Sequence, residues 1–181
     1  MMLTSSAAGL LAAAVLALGS VVVVVDATVV TTCRAAADRD GRVDYGFCVA
    51  ELGKHHDSPG ADAWGLAKVA ALTGVVDADN AVYDVRDMLA RAAAGRDVAA
   101  ALGRCKELYG AAGFAFAEAH DDINGRDYAA GKGKAADAAS LARRCDAAFA
   151  RDAAVPPVIA QHSSYASKIA IICTAITNLI E

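Results

Sequence analysis

The sequence predicts an all-α protein: an N-terminal helical hairpin followed by an up-down-up-down four-helix bundle. Three observations carry this reading. Apolar and small residues recur at steps of three and four along several long stretches, the spacing that lines one face of a helix. Alanine, the best helix former, is abundant, and only three prolines interrupt the 181 residues. Strand signals are nearly absent, because the one valine-rich run, Val21 to Val25, belongs to a segment of another kind. The length suits one domain. A net charge of −4 and the lack of any Lys/Arg cluster argue against nucleic acid as a partner.

Residues 1–27 stand apart. They carry no Lys or Arg, and 10–25 is almost wholly apolar. Val25-Asp26-Ala27 offers a cleavage point after Ala27, so the segment reads as a secretory signal peptide. The competing reading is a single membrane anchor. The short uncharged flank and the cysteines that follow favour export. The processed chain is then 28–181, with no membrane attachment after cleavage and no Asn-x-Ser/Thr sequon.

Residues 28–56 form the hairpin. Residues 34–37 suit a helical turn or two, and Asp38-Arg39-Asp40-Gly41 reads as the reversal. Asp44 is placed to cap a second helix carrying Tyr45, Cys48 and Leu52 on one face. Helices this short are marginal alone. A bridge between Cys33 and Cys48 would close the hairpin and contribute about 3 kcal/mol by loop entropy. Residues 55–62 read as a linker, and 62–181 as the bundle.

The first bundle helix is predicted over 64–94, with the stripe Trp64, Ala67, Ala71, Val75, Ala78, Val82, Val85 and Leu89. Gly95 is expected as a left-handed cap and Asp97 as the next N-cap. The second helix, 98–123, has the most regular stripe: Val98, Leu102, Cys105, Tyr109, Ala112, Phe116, Ala119 and Ile123. Asn124-Gly125 stops it. Gly103, Gly110 and Gly113 interrupt it, and close backbone approach is the expected return. Residues 126–134 read as a polar loop and about 135–151 as the third helix, with Ala138, Leu141, Cys145 and Ala148 on its stripe. After Val155-Pro156-Pro157 the last stripe runs Ile159, His162, Ala166, Ile169, Cys173, Ile176 and Ile180. Lys168 and the polar face make this end amphipathic, which excludes a lipid-anchor tail.

Chemistry-bearing motifs are few. Four of the five cysteines pair in three ways, and spacing does not choose among them. Cys173, mid-stripe, is the expected free buried thiol. His55 and His56 are adjacent in a linker, His120 and His162 are isolated, and there is no Cys-x-x-Cys, so no metal site is expected. His162 reads as a satisfied core histidine. Ser163-Ser164 reads as a helix's first turn rather than a nucleophile. No hydrolase elbow, phosphate loop or dinucleotide fingerprint occurs, so no catalytic or cofactor-binding residue is assigned. Asp121 and Asp122 lie near a helix C-terminus, where negative charge is unfavourable. With Arg126, Asp127 and Tyr128 following at once, this cluster is the candidate partner-binding surface. A core lined by Ala and Gly favours close packing over a cavity, against a bundle that binds a small apolar ligand.

The pattern resembles the plant invertase and pectin methylesterase inhibitor family. The residues that carry the likeness are Thr32-Cys33, Tyr45-x-Phe47-Cys48-x-x-x-Leu52, Ala101-Leu102-x-x-Cys105-x-x-x-Tyr109, Tyr128, the run from Ala138 through Cys145 to Phe149, and Ala175-Ile176-x-Asn178-Leu179. The resemblance implies bridges Cys33–Cys48 and Cys105–Cys145. It implies a secreted, apoplastic, monomeric protein, not an enzyme, that inhibits a cell-wall carbohydrate enzyme stoichiometrically by occluding its substrate cleft. The vacuole is the less favoured destination. Gly41-Arg42-Val43 looks inserted relative to the family. The Pro-Lys-Phe common in invertase-type members is replaced by Arg126-Asp127-Tyr128. That replacement points to pectin methylesterase as the target, with cell-wall or vacuolar invertase as the alternative.

Overall fold

A computed structural model describes residues 27–91, 95–149 and 154–181. Nearly all of the signal-peptide segment therefore lies outside the described residues. Among the described residues six helices follow in order: α1 (Ala27–Arg39), α2 (Tyr45–Leu52), α3 (Ala63–Arg91), α4 (Arg96–Asn124), α5 (Tyr128–Asp146) and α6 (Pro157–Thr177). Helices α3 to α6 form a ring in which each packs on two neighbours. Cross-helix pairs give the directions. Trp64 at the start of α3 bonds Ile123 at the end of α4. Cys105 of α4 joins Cys145 of α5. Lys132 of α5 meets Asn178 beyond α6, and Cys173 of α6 meets Ala67 of α3. Every neighbouring pair is antiparallel, so the bundle is up-down-up-down.

The core is one cluster, and α4 supplies its spine. Leu102, Cys105, Tyr109, Ala112, Phe116, Ala119 and Ile123 are all buried, and only Val98, at the open end of the stripe, is half-exposed. The hairpin covers one side of the ring, α1 packing on α2, α3 and α6. Val29, Cys33, Ala36, Cys48 and Leu52 are its buried contribution. Asp44 caps α2 by accepting from the Phe47 N–H at 3.0 Å. Cys33 and Cys48 are bonded, and so are Cys105 and Cys145, whose Cα atoms lie 4.6 Å apart. The second closure spans 40 residues and contributes about 4 kcal/mol on the loop-entropy scale. Cys173 is fully buried, its thiol against the Ala67 carbonyl, and burial pushes its pKa up to about 12.

The structure corrects several expectations. Helix α1 is 13 residues long rather than a turn or two, because α2, α3 and α6 all pack on it. Gly95 has φ −53° and is the N-cap of α4, so it is not left-handed, and Asp97 sits in the first turn instead of capping. Helix α5 starts at Tyr128, so 128–134 is helical rather than a loop, and the helix closes at Asp146. On α6 the buried stripe passes through Ser163, with His162 beside it at the edge.

The glycines of α4 also differ from expectation. A Cβ at Gly103 or Gly110 would meet nothing within 4 Å, and at Gly113 only ordinary contact with Ala78. Close approach occurs elsewhere. A Cβ on Gly74 of α3 would lie 2.6 Å from the Phe116 ring, and one on Gly131 of α5 would lie 2.7 Å from Ile123. These two glycines let α3 and α5 close onto α4.

Gly103→Ala and Gly110→Ala should each stabilise the chain by about 0.5–1 kcal/mol, since they remove backbone entropy and meet no atom. Gly74→Ala should destabilise it, because the Phe116 ring must move. Thermal unfolding of the three variants checks this. A rise in Tm for Gly74→Ala would contradict the packing described.

Candidate functional site

The candidate surface lies where α4 turns into α5. Only Gly125, Arg126 and Asp127 connect the two helices. The Gly125 N–H donates to the Asp121 carbonyl, Arg126 to Ile123 and Asp127 to Asp122. The last two bonds form the paired closure that ends many helices, in which one residue takes a left-handed conformation. That residue is normally glycine. Here Gly125 has φ −75°, and Arg126 is left-handed at φ 66°. A non-glycine residue there costs about 1–2 kcal/mol. Asp127 then caps α5, its carboxylate accepting from the Ala130 N–H at 3.1 Å.

The strained turn presents Arg126 on aromatic groups. Its guanidinium lies 5.2 Å from the centre of the Trp64 ring, and its Nη1 donates to Tyr128 Oη at 3.3 Å. Trp64 is held in turn by its indole N–H, which donates to the Ile123 carbonyl at 2.9 Å. Lys68 also packs on that ring at 3.5 Å and donates to Asn124 Oδ1. Asp121 stands exposed beside His120, with Nδ1 to Oδ1 at 3.0 Å. The structure thus brings all five candidate residues to one end of the bundle. Asp121, Arg126 and Asp127 are exposed, and Asp122 and Tyr128 are half-buried. Trp64 and Lys68 join them from α3, sixty residues away in sequence. No local spacing pointed to either.

A second polar group ties α3 to α6. His162 donates or accepts through both ring nitrogens, with Asp77 Oδ1 at 2.9 Å from Nδ1 and Asp84 Oδ2 at 2.9 Å from Nε2. Asp77 and Asp84 are seven residues apart, hence on one face of α3. That spacing was the available sequence signal for this pair. The hydrogen bond to Asp77 holds the His162 pKa above its ordinary value against partial burial, and the bond to Asp84 adds to it. Burial raises the pKa of Asp77, and its bond to His162 opposes this only in part. Ser163 is buried against other partners: its hydroxyl lies 2.7 Å from Asp146 Oδ1 and 2.9 Å from Tyr109 Oη. The hydroxyl is spent on a bond between helices, and His162 faces away towards α3.

Comparison with known proteins places the chain among relatives. A family model for plant invertase/pectin methylesterase inhibitors matches residues 27–176. Pectinesterase inhibitor 8 of Oryza sativa subsp. japonica is 58% identical over 157 residues, which cover 87% of this chain and 85% of the relative. Pectinesterase inhibitor 12 of the same organism is 45% identical over 157 residues, covering 86% and 75%. Among solved structures, a pectin methylesterase inhibitor from Arabidopsis thaliana superposes with a TM-score of 0.61 at 19% identity, covering 84% of this chain and 95% of that one. A mutant form of an Arabidopsis pectin methylesterase inhibitor gives 0.66 at 19% identity, covering 82% and 94%. At that identity the likeness is one of fold.

The α3–α6 link should make stability depend on pH. A histidine whose folded pKa is raised contributes stability that is fully present below its unfolded value of about 6.5 and is lost as pH climbs through the folded value. The raised Asp77 costs stability as pH climbs from its unfolded value of about 3.9 through its folded one, an acid-side effect separate from that of the histidine. The Tm should therefore fall from pH 6 to pH 8, and His162→Gln should flatten that slope. Equal slopes in both proteins would show that another group governs the transition.

Proposed function

The chain belongs to the plant invertase/pectin methylesterase inhibitor family, and from that membership we propose that it is a protein inhibitor of pectin methylesterase. It acts by stoichiometric binding, covering the enzyme's substrate cleft without turning anything over. The observation that carries this reading is the 58% identity to Pectinesterase inhibitor 8, spread over 157 residues rather than confined to a motif. Invertase is the second target considered on this scaffold. The Arg126-Asp127-Tyr128 stretch favours the esterase, because it stands where invertase-type members often carry Pro-Lys-Phe.

The docking end of the molecule is assigned to Asp121, Asp122, Arg126, Asp127 and Tyr128. Asp127 is partly committed to capping α5, so contact falls mainly to the other four. Arg126 is the residue that this reading values most. Backbone strain at a non-glycine residue persists where the surrounding structure over-determines it, and such residues concentrate at functional sites. A guanidinium held against the Trp64 ring and the Tyr128 hydroxyl reaches a partner with little freedom left to lose. The two disulfides stiffen the scaffold behind it and suit an oxidising compartment. Residues 1–27 are assigned as a removable signal peptide and 28–181 as the inhibitor domain, exported to the apoplast as a monomer. Among the described residues no helix is long and apolar enough to cross a membrane.

The test is a paired titration of the processed chain against a plant pectin methylesterase and a cell-wall invertase near apoplastic pH. Esterase activity should fall to an end point at one inhibitor per enzyme, with invertase unaffected. Inhibition of invertase alone would reassign the target. Charged contacts should make the inhibition weaken as ionic strength rises, and an affinity flat across salt would contradict a polar interface.

Arg126→Gly should separate stability from function. It should raise stability by about 1 kcal/mol by relieving the left-handed strain, while weakening inhibition about tenfold. Arg126→Ala should weaken inhibition without the gain in stability. Full inhibition by both variants would remove Arg126 from the contact surface.

A further inference from the structure

We propose that His55, His56 and Asp57 form a binding site for a divalent transition-metal ion of the zinc or copper kind, at the turn that follows α2. The three residues are consecutive, an order in which side chains ordinarily diverge. The turn after α2 makes them converge: one donor atom from each lies within 4.8 Å of both others. His56 Nε2 is 3.2 Å from Asp57 Oδ1, and His55 Nδ1 is 3.8 Å from Asp57 Oδ2. A tetrahedral ion with bonds of about 2.0–2.2 Å holds its donors roughly 3.3–3.5 Å apart. The first distance already fits, while the second runs to the other carboxylate oxygen, so His55 and Asp57 must draw closer for one oxygen to share an ion with both rings. The more exposed Asp57 side chain has the room to make that approach.

The imidazole rings of His55 and His56 stack, with centroids 4.7 Å apart and planes 19° from parallel, so their donor edges lie side by side. The Asp57 backbone N–H donates to His55 Nδ1 at 3.2 Å, so that nitrogen is unprotonated, and an ion bound there displaces this long hydrogen bond. The backbone beneath is pinned. The His55 N–H donates to the Leu52 carbonyl, the Ser58 N–H to the His55 carbonyl, and the buried Ser58 hydroxyl to Leu52. Lys54, the preceding residue, is drawn off to Glu51 at 2.7 Å. Two imidazoles and one carboxylate are a borderline donor set. It suits copper and zinc, whereas magnesium and calcium select all-oxygen sites.

The experiment is calorimetric titration of the disulfide-intact processed chain with ZnCl2, CuCl2 and MgCl2 in separate runs, alongside Tm against metal concentration. Zinc and copper should each saturate at one ion per chain and raise the Tm as their concentration grows, because binding favours the folded state. Magnesium should give neither effect. His56→Ala and Asp57→Asn, both at exposed positions, should weaken zinc binding about tenfold or more, with the helical circular dichroism unchanged. The proposal is overturned by the absence of saturable binding, by equal binding of magnesium, or by undiminished binding in the His56 and Asp57 variants. Inhibition of the target enzyme is not part of the readout, so this outcome is independent of the functional assignment.

Discussion

The packing of Phe116 onto Gly74 sets the spacing on which the rest of the bundle depends. Four large residues of α4, namely Leu102, Tyr109, Phe116 and Ile123, are no more than 1% exposed, while much of what faces them is alanine and glycine. A core of this kind buries little area per residue and gains most from close approach. Gly74 lets α3 come down onto the Phe116 ring, and Gly131 does the same for α5 over Ile123. The Cys105–Cys145 bond fastens the α4–α5 pair at its other end. Helix α4 is thus held at both ends and its middle, and its C-terminal turn inherits a fixed position.

That fixed position explains how a strained residue survives there. Between Asn124 and Tyr128 only three residues must reverse the chain, and both flanking helices are anchored by buried contacts. The reversal needs one left-handed residue at the position after the helix cap. Register places Arg126 there, with Gly125 one residue too early to serve. Helix packing overrides the local preference, at a cost small beside the burial of Ile123 and Tyr109. The consequence is a cation mounted on Trp64 and Tyr128 at the tip of a rigid rod.

Much of this was legible in the chain because helices advertise themselves locally. The α4 stripe can be read residue by residue, and seven of its eight members are buried. The α2 cap at Asp44 and the Pro157 start of α6 follow from equally local chemistry. What escaped is non-local. Gly131 and Gly133 look like loop residues until α5 is seen to cross α4 at a distance that excludes a Cβ from position 131. Asn124-Gly125 marks the stop of α4, but sequence cannot show the register of the turn, which makes Arg126 the left-handed residue. Trp64 joins the candidate surface only through a bond to Ile123, and His162 finds Asp77 and Asp84 only across the bundle. The convergence of His55, His56 and Asp57 depends on a turn pinned by Ser58, a residue with no motif to mark it.

The division between buried and exposed polar groups also bears on function. Inside, the hydroxyls of Tyr109 and Ser163 and the His162 ring bond across helices, which fixes their mutual rotation more sharply than alanine contacts can. Alanine faces slide at small cost, whereas a displaced buried hydrogen bond leaves an unsatisfied group. The polar cross-links therefore supply the uniqueness that a small-residue core lacks. A protein that works by presenting a preformed surface needs that uniqueness, since every freedom left in the scaffold must be lost on docking. The His162 link is strongest where the imidazole is protonated, so rigidity of the α3–α6 pair is greatest in mildly acidic surroundings.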